Sequence, residues 1–97
     1  MSDDFFAPPA FKADEALANL KRHLRDIRLL ERAGRMEWKG QPLVELSVDG
    51  EAIVAKTVRK PIRTPEWQTR RLVSAAEVRR WLDDFKRQFA AWNADDD

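Results

Sequence analysis

The most constraining feature of the chain is a helix start between Val73 and Val78. Ser74 can accept a hydrogen bond from the backbone N–H of Glu77, and the Glu77 carboxylate can accept one from the backbone N–H of Ser74. Val73 can pack on Val78 outside this capping box. The pattern therefore predicts a helix that begins at about Ala75.

An unbroken apolar stripe follows this helix start. Its members recur at steps of three and four residues, and four of them are aromatic: Val78, Trp81, Leu82, Phe85, Phe89 and Trp92. This period is typical of one face of an amphipathic helix. We predict a closing helix from about Ala75 to Trp92, with Trp81 and Phe85 at the centre of the core.

Composition limits the class of protein. A chain of 97 residues forms one domain, and its 36% charged residues indicate a soluble domain with a charged surface. No apolar run approaches the roughly 20 residues of a membrane-spanning helix, and the acidic N-terminus is unlike a secretory signal. There is no cysteine, which excludes disulfides and fits a reducing compartment. We expect a cytoplasmic protein with no membrane contact.

Three segments can be distinguished along the chain. Residues 1–13 are predicted to form an extended N-terminal arm, because Pro8 and Pro9 block a helix. The three phenylalanines of this arm either cover its own core or dock on another chain, and the first arrangement is favoured. Residues 14–92 form the folded domain. Residues 93–97 are predicted to be a mobile acidic tail, since three aspartates oppose the dipole of the closing helix.

The first helix is predicted to run from Asp14 to Ala33, with Gly34 as its left-handed terminator. Two acidic residues at its start suit the positive end of the helix dipole. Its apolar face has close to heptad spacing and consists of Leu17, Leu20, Leu24, Ile27 and Leu30. The opposite face is rich in paired charges and is expected to be solvated.

From Arg35 to about Lys60 the apolar pattern has a period of two, which is typical of strands. Residues 43–48 and 51–58 are predicted to form a hairpin around Asp49 and Gly50. In that register Leu46 lies opposite Ile53, and the other predicted pairs are Val44 with Ala55, Ser47 with Ala52, Glu45 with Val54, and Leu43 with Lys56. A short strand at 36–38 precedes the hairpin.

Residues 67–72 can add a fourth strand at the edge of the sheet. The predicted fold is α+β: a helix, an antiparallel meander of three or four strands, and a second helix. Both helices are expected on one face of the sheet, over Val44, Leu46, Val48, Ile53 and Ala55.

Enzymatic chemistry has little support in the sequence. His23 is the sole histidine, and there is no nucleophile elbow or glycine-rich phosphate loop. Asp83 and Asp84 are neighbours on a helix, so their carboxylates point in different directions. We expect no catalytic residue, no cofactor, no metal and no small-molecule substrate.

The middle of the chain is basic. Between Lys56 and Arg80 there are eight basic and two acidic residues, and the rest of the chain carries the compensating negative charge. Clustered cations with an interleaved aromatic ring suit a nucleic acid, and the candidate surface is Lys56, Lys60, Arg63, Trp67, Arg70 and Arg71. Alternatively, these arginines protect sheet edges and offset the acidic tails.

The predicted order α-β-β-β-α resembles the double-stranded RNA-binding domain at the level of element order. Arg70 and Arg71 precede the closing helix and Arg79 and Arg80 lie within it, near where that family carries a lysine-rich signature. The sequence departs from the family because it has no Lys-Lys-x-Ala-Lys motif and carries an aromatic stripe in the closing helix. The resemblance implies RNA binding through the basic segment.

A second kind of surface is suggested by the length of the closing helix. At 1.5 Å per residue the helix is longer than strands of about 20 Å, so Phe89 and Trp92 can project beyond the sheet as a protein interface. Trp and Phe are preferred anchors of such interfaces. We therefore expect a small non-enzymatic binding or adaptor protein with a protein partner, or a homodimer. Nucleic-acid binding through residues 56–80 is the alternative.

Overall fold

The computed structural model describes residues 11–95. Two helices flank five strands in the order α1 (Ala13–Asp26), β1 (Leu30–Arg32), β2 (Arg35–Trp38), β3 (Gln41–Asp49), β4 (Ala52–Val58), β5 (Trp67–Leu72) and α2 (Ala75–Asp95). Each strand is antiparallel to the next, and the sheet follows the chain order from β1 to β5. The predicted α+β fold is confirmed, with five strands rather than three or four.

Tight two-residue turns connect the first four strands. Ala33 and Gly34 have φ values of +53° and +79°, and Lys39 and Gly40 have +54° and +79°. Two successive positive φ values are typical of a type I′ turn, whose twist matches that of the flanking strands. The meander is therefore built from local hairpins.

The first helix is shorter than the sequence predicts. It ends at Asp26 rather than Ala33, and Leu30–Arg32 forms β1. Leu30, predicted on the apolar face of the helix, is 72% exposed on β1. Gly34 belongs to the β1–β2 turn and does not terminate the helix.

The helix ends early because Arg28 takes the left-handed position that glycine usually occupies. Its φ is +78°. The Arg28 N–H donates to the carbonyl of Arg25, and the Leu29 N–H donates to the carbonyl of Leu24. These two bonds define a Schellman motif. Leu24 and Leu29 are both fully buried in the same core cluster, where the motif usually places an apolar pair.

The central hairpin is shifted relative to the predicted register. Asp49 pairs with Ala52, so the turn residues are Gly50 and Glu51. Leu46 consequently pairs with Ala55, two residues beyond its predicted partner Ile53, and the other pairs shift equally. Because the shift is even, it does not by itself move any side chain to the other face of the sheet. Gly50 has φ +63° at the first turn position, as in a type II′ turn.

A β-bulge increases the apolar surface of β3. Met36 pairs with Val44 while Glu37 pairs with Pro42, so Leu43 is an extra residue on β3. Leu43 and Val44 are both fully buried although they are sequence neighbours. The predicted pairing of Leu43 with Lys56 on the outer face is therefore wrong. Lys56 pairs with Glu45 because of the register shift, and the bulge turns Leu43 into the core.

The core lies between the sheet and the two helices. In it, residues of β3 and β4 that were predicted to face the helices pack with the apolar faces of both helices. Its members include Val44, Leu46, Ile53, Ala55, Leu20, Leu24, Trp81 and Phe85. Trp81 and Phe85 stack with ring centroids 5.6 Å apart. Strand β5 pairs with β4 and lies at the edge of the sheet, as the sequence suggested.

The start of α2 largely matches the predicted cap. The Glu77 N–H donates to Ser74 Oγ at 3.2 Å. Glu77 Oε1 accepts from the backbone N–H of Val73 at 3.3 Å, one residue before the predicted donor. The helix continues three residues beyond Trp92 to Asp95. The rest of the acidic tail and residues 1–10 of the arm lie outside the described residues, while Phe11 packs against the core.

We predict that Ser74→Ala lowers the free energy of unfolding by about 1 kcal/mol, because the Glu77 N–H loses its acceptor. Chemical denaturation measures this change. Ser47→Ala is a matched control, since Ser47 is exposed on β3 and its replacement should have little effect. An unchanged denaturation midpoint at unchanged slope for Ser74→Ala would contradict the prediction.

Candidate binding groove between β5 and α2

The structure does not bring the basic candidate residues to one surface. The strand register puts Lys56, Trp67 and Arg71 on the face of the sheet opposite the helices, which we call the open face, and Trp67 is partly buried there. Arg70 pairs with Ala55 and therefore faces the helices. The remaining two candidates, Lys60 and Arg63, are exposed in the connection between β4 and β5. The six side chains are thus split among three locations.

Ion pairs offset much of the positive charge on the open face. Arg71 Nη1 lies 2.8 Å from Asp49 Oδ2, and Arg35 Nε lies 3.2 Å from Glu45 Oε2. The Arg35 guanidinium also lies over the ring of Trp67, 5.9 Å from its centroid. This face therefore has mixed charge, and its candidate stacking ring is already in contact with a cation.

The two candidate interface aromatics belong to the packed end of α2. Phe89 is only 7% exposed, and its ring lies 5.2 Å from that of Trp38. Trp92 is half-buried and contacts Phe85 edge to face at 6.1 Å. Phe89 therefore lies inside the domain rather than projecting beyond the sheet, and Trp92 alone of the pair reaches the surface.

A groove of about 350 Å³ lies between β5 and α2. We call it the β5–α2 groove, and its lining residues are Thr57, Gln68, Arg70, Trp81, Asp84, Phe85, Arg87 and Gln88. Thr57 contributes from β4, the next strand inward. The groove thus has one wall from the sheet and one wall from the closing helix.

Strand alternation and helix period explain this lining. Thr57 pairs with Gln68, and Arg70 lies two residues further along β5, so all three side chains are on the helix-bearing face. On α2, the spacing of residues 81, 84, 85 and 88 places them on one stripe. The same alternation that buries Ile53 and Ala55 therefore also directs Thr57 towards α2.

Thr57 is the one polar residue that is buried within the described part of the chain, with 5% exposure. Its hydroxyl Oγ1 has no hydrogen-bond partner among residues 11–95. Leaving a hydroxyl buried and unpaired costs about 1–3 kcal/mol in proteins. A threonine with this cost, at the inner end of a groove, requires an explanation that core packing does not provide.

The groove has an excess of positive charge. Arg87 pairs with Asp84 on the same helix, whereas Arg70 is exposed and makes no ion pair with another described residue. Gln68 and Gln88 add neutral amide groups, and Trp81 and Phe85 provide an apolar wall. The arrangement can hold an anionic group on a short apolar stem.

The sole histidine of the chain lies away from this groove. His23 is exposed on α1 and lines a different cleft, with Asn19 and Arg79. Within 11–95, no group of three or more histidine or acidic side chains is placed to hold a metal ion. None of the described helices combines the length and apolar character needed to cross a membrane.

Comparisons with family models, with curated proteins and with solved structures found no match. The double-stranded RNA-binding domain, which the predicted element order resembles, gains no support from them, and this sheet has five strands rather than three. The β5–α2 groove is therefore interpreted from its own residues.

Sequence reasoning identified Arg70 but missed the rest of the groove. The available signal was the alternation of Ile53, Ala55 and Thr57, which places a hydroxyl on a face that is otherwise apolar. That signal has meaning only once Thr57 is known to lie next to Gln68 and under α2.

We predict that Thr57→Val stabilises the domain by about 1 kcal/mol, because an isosteric methyl group replaces a buried unpaired hydroxyl. Thermal and chemical denaturation measure the change. Thr69→Val, at an exposed position on β5, is the control and should stay within about 0.5 kcal/mol of the native protein. A loss of stability in Thr57→Val would show that the hydroxyl is satisfied within the fold.

Proposed function

We propose that this domain is a non-enzymatic binding module that takes up an extended, acidic segment of a partner protein along β5. The observation that supports this proposal is the outer edge of β5, which pairs with no other described strand and lies directly beside a positively charged groove. We also propose a cytoplasmic location, because the chain lacks cysteine.

Strand β5 offers a long edge. It has six residues and pairs with β4 on one side, and no described strand pairs with its outer side. An edge strand presents a row of free N–H and C=O groups, and addition of an extended peptide to such an edge is a recurrent mode of recognition. At the opposite edge, β1 has only three residues, so β5 is the better template.

The groove provides a place for the side chains of an added strand. Alternate residues of a strand point to the same face of the sheet. Every second side chain of a segment added to β5 would therefore lie on the side of Gln68 and Arg70, beneath α2. Backbone hydrogen bonds would give affinity, and the groove would select side chains.

Charge favours an acidic segment. Arg70 and Arg71 are neighbours near the middle of β5 and point to opposite faces. Opposite charges in cross-strand pairs contribute about 0.2–1 kcal/mol each, and like charges destabilise. An acidic segment is attracted by Arg70, which makes no ion pair with the other described residues.

The same charges oppose a homodimer through this edge. In the register where Arg70 of one copy faces Arg71 of the other, antiparallel self-pairing of β5 would set like charges against each other, which is unfavourable. Basic side chains on edge strands are a common means of preventing such pairing. We therefore favour a different protein as the partner.

We predict that a labelled peptide of alternating Thr and Glu binds the full chain more tightly than its Thr/Gln counterpart, as measured by fluorescence anisotropy. Arg70→Gln should weaken binding by about 10-fold, since a charge-assisted interaction is lost. Arg79→Gln removes the same charge from an exposed site on α2 outside the groove and should have little effect.

A peptide with proline at its centre is a second control, because proline removes a backbone donor and interrupts strand pairing. It should bind weakly to the native chain. Equal binding of the acidic peptide to the Arg70→Gln and Arg79→Gln variants would contradict the proposal, and so would the absence of any binding.

The alternative function, nucleic-acid binding, has one supporting observation, which is that Lys56, Trp67 and Arg71 share the open face. The ion pairs on that face weigh against it. We predict that generic duplex DNA and RNA bind no more tightly than about 10⁻⁴ M near physiological salt. A tight, salt-sensitive complex that is lost on replacing both Arg70 and Arg71 with Ala would reverse this ranking.

A further inference from the structure

We infer that the segment bound at β5 runs antiparallel to this strand and places a single acidic residue directly opposite Arg70. This inference rests on the proposed function and specifies the ligand: one acidic residue on the helix-bearing face of the added strand, with uncharged neighbours. Arg70 is then the residue of the domain that determines specificity, and the acidic side chain of the ligand lies at the mouth of the β5–α2 groove.

The hydrogen bonds between β4 and β5 show which backbone groups of β5 point outward. The Arg59 N–H donates to the carbonyl of Glu66 at 2.8 Å, so these residues form a hydrogen-bonded pair directly beyond the last pair of the two strands. In an antiparallel ladder, hydrogen-bonded pairs alternate with non-hydrogen-bonded pairs. Residues at even positions of β5 therefore bond to β4. The three residues whose N–H and C=O groups point away from β4 are Trp67, Thr69 and Arg71.

This alternation determines which ligand residue comes closest to Arg70. An added strand hydrogen-bonds to Thr69 and to the other outward-pointing groups, so the ligand residue opposite Arg70 belongs to a non-hydrogen-bonded pair. In an antiparallel arrangement the Cα atoms of such a pair are about 4.5 Å apart, against about 5.5 Å for a hydrogen-bonded pair. Directly opposed side chains share one face of the sheet. The ligand side chain therefore meets Arg70 on the helix-bearing face, one strand spacing from β5.

Charge identifies this ligand side chain as acidic. Arg70 is exposed and makes no ion pair with another described residue. It lines the β5–α2 groove with Trp81 and Phe85, whose apolar rings reduce the screening of a charge pair by water. An acidic residue opposite Arg70 forms a cross-strand pair of opposite charge, which stabilises strand pairing.

Other positions of the ligand gain less from an acidic residue. Arg71 Nη1 already lies 2.8 Å from Asp49 Oδ2, so a carboxylate opposite Arg71 would meet a neutralised cation and a nearby negative charge. The other residues of β5 that face the helices, Gln68 and Leu72, are uncharged. A single acidic residue opposite Arg70 is therefore the favoured pattern.

The test is a disulfide trap, which is specific because the chain has no cysteine of its own. Thr69 is exposed on β5, and Thr69→Cys in the full chain puts a thiol on the open face next to Arg70. Short peptides of Thr and Gln carry either Glu-Cys or Cys-Glu at their centre. When Glu lies opposite Arg70 in an antiparallel strand, the residue after Glu lies opposite position 69, at a Cα separation of about 5.5 Å that suits a disulfide.

The yield of protein–peptide disulfide is measured at equilibrium in a buffer of glutathione and glutathione disulfide. The Glu-Cys peptide should be trapped about 5-fold more than the Cys-Glu peptide, because trapping of the latter moves Glu away from Arg70. Adding Arg70→Gln to the Thr69→Cys variant should remove this preference. Adding Arg79→Gln, which removes a charge outside the groove, should retain it.

Two results of the trap would overturn the inference. Equal trapping of both peptides would show that Arg70 does not set the register of the ligand. Preferential trapping of Cys-Glu would show that the segment runs parallel to β5, because the residue before Glu then lies opposite position 69.

Binding of a cysteine-free Glu peptide to the native chain, followed by fluorescence anisotropy and by amide exchange, distinguishes failure of this inference from failure of the proposed function. If this peptide binds and slows exchange of the Trp67, Thr69 and Arg71 amides while the trap shows no preference, strand addition stands and the position of the acidic residue is wrong. If no peptide binds, the proposed function and this inference are both wrong.

Discussion

Burial of the aromatic stripe of α2 is the interaction on which the rest of the structure depends. Trp81 stacks on Phe85 at 5.6 Å, and Phe85 stacks on Phe89 at 5.9 Å. This row fixes α2 over the sheet, because three rings are removed from water on one helix face. Asp84 and Gln88, which are exposed beside this stripe, then line the groove with β5. The core and the wall of the groove are therefore consequences of the same stripe.

Protection of the sheet edge is the simplest alternative explanation of the arginines on β5. Edge protection accounts for Arg70 and Arg71 as well as binding of an acidic segment does, because cations on an edge strand prevent pairing with another copy. It does not account for the difference between them: Arg71 is paired with Asp49, whereas Arg70 lines a groove and makes no ion pair with another described residue. Binding of an acidic segment explains this difference, since Arg70 is the arginine that lies opposite the acidic residue of the ligand.

The order of elements was predictable because local chemistry and pattern agree. The cap at Ser74 and the aromatic stripe define α2, and alternation defines the strands. The predictions failed where the chain uses a residue or a strand pairing that is uncommon at that kind of position. Arg28 ends α1 in a position that usually requires glycine, and a bulge turns Leu43 into the core. Of the groove, Arg70 was identifiable from charge, but Thr57 requires knowledge of the strand register and of the position of α2.

Hydrogen–deuterium exchange of the β5 backbone, with and without a Glu-containing acidic peptide, tests strand addition most directly. Added strand pairing protects amides that point away from β4, so exchange in 67–72 should slow at saturating peptide while exchange in β1 stays unchanged. The protection should be absent with the proline-containing peptide. Protection confined to segments other than β5, or none in β5 despite saturation, would contradict binding at this edge.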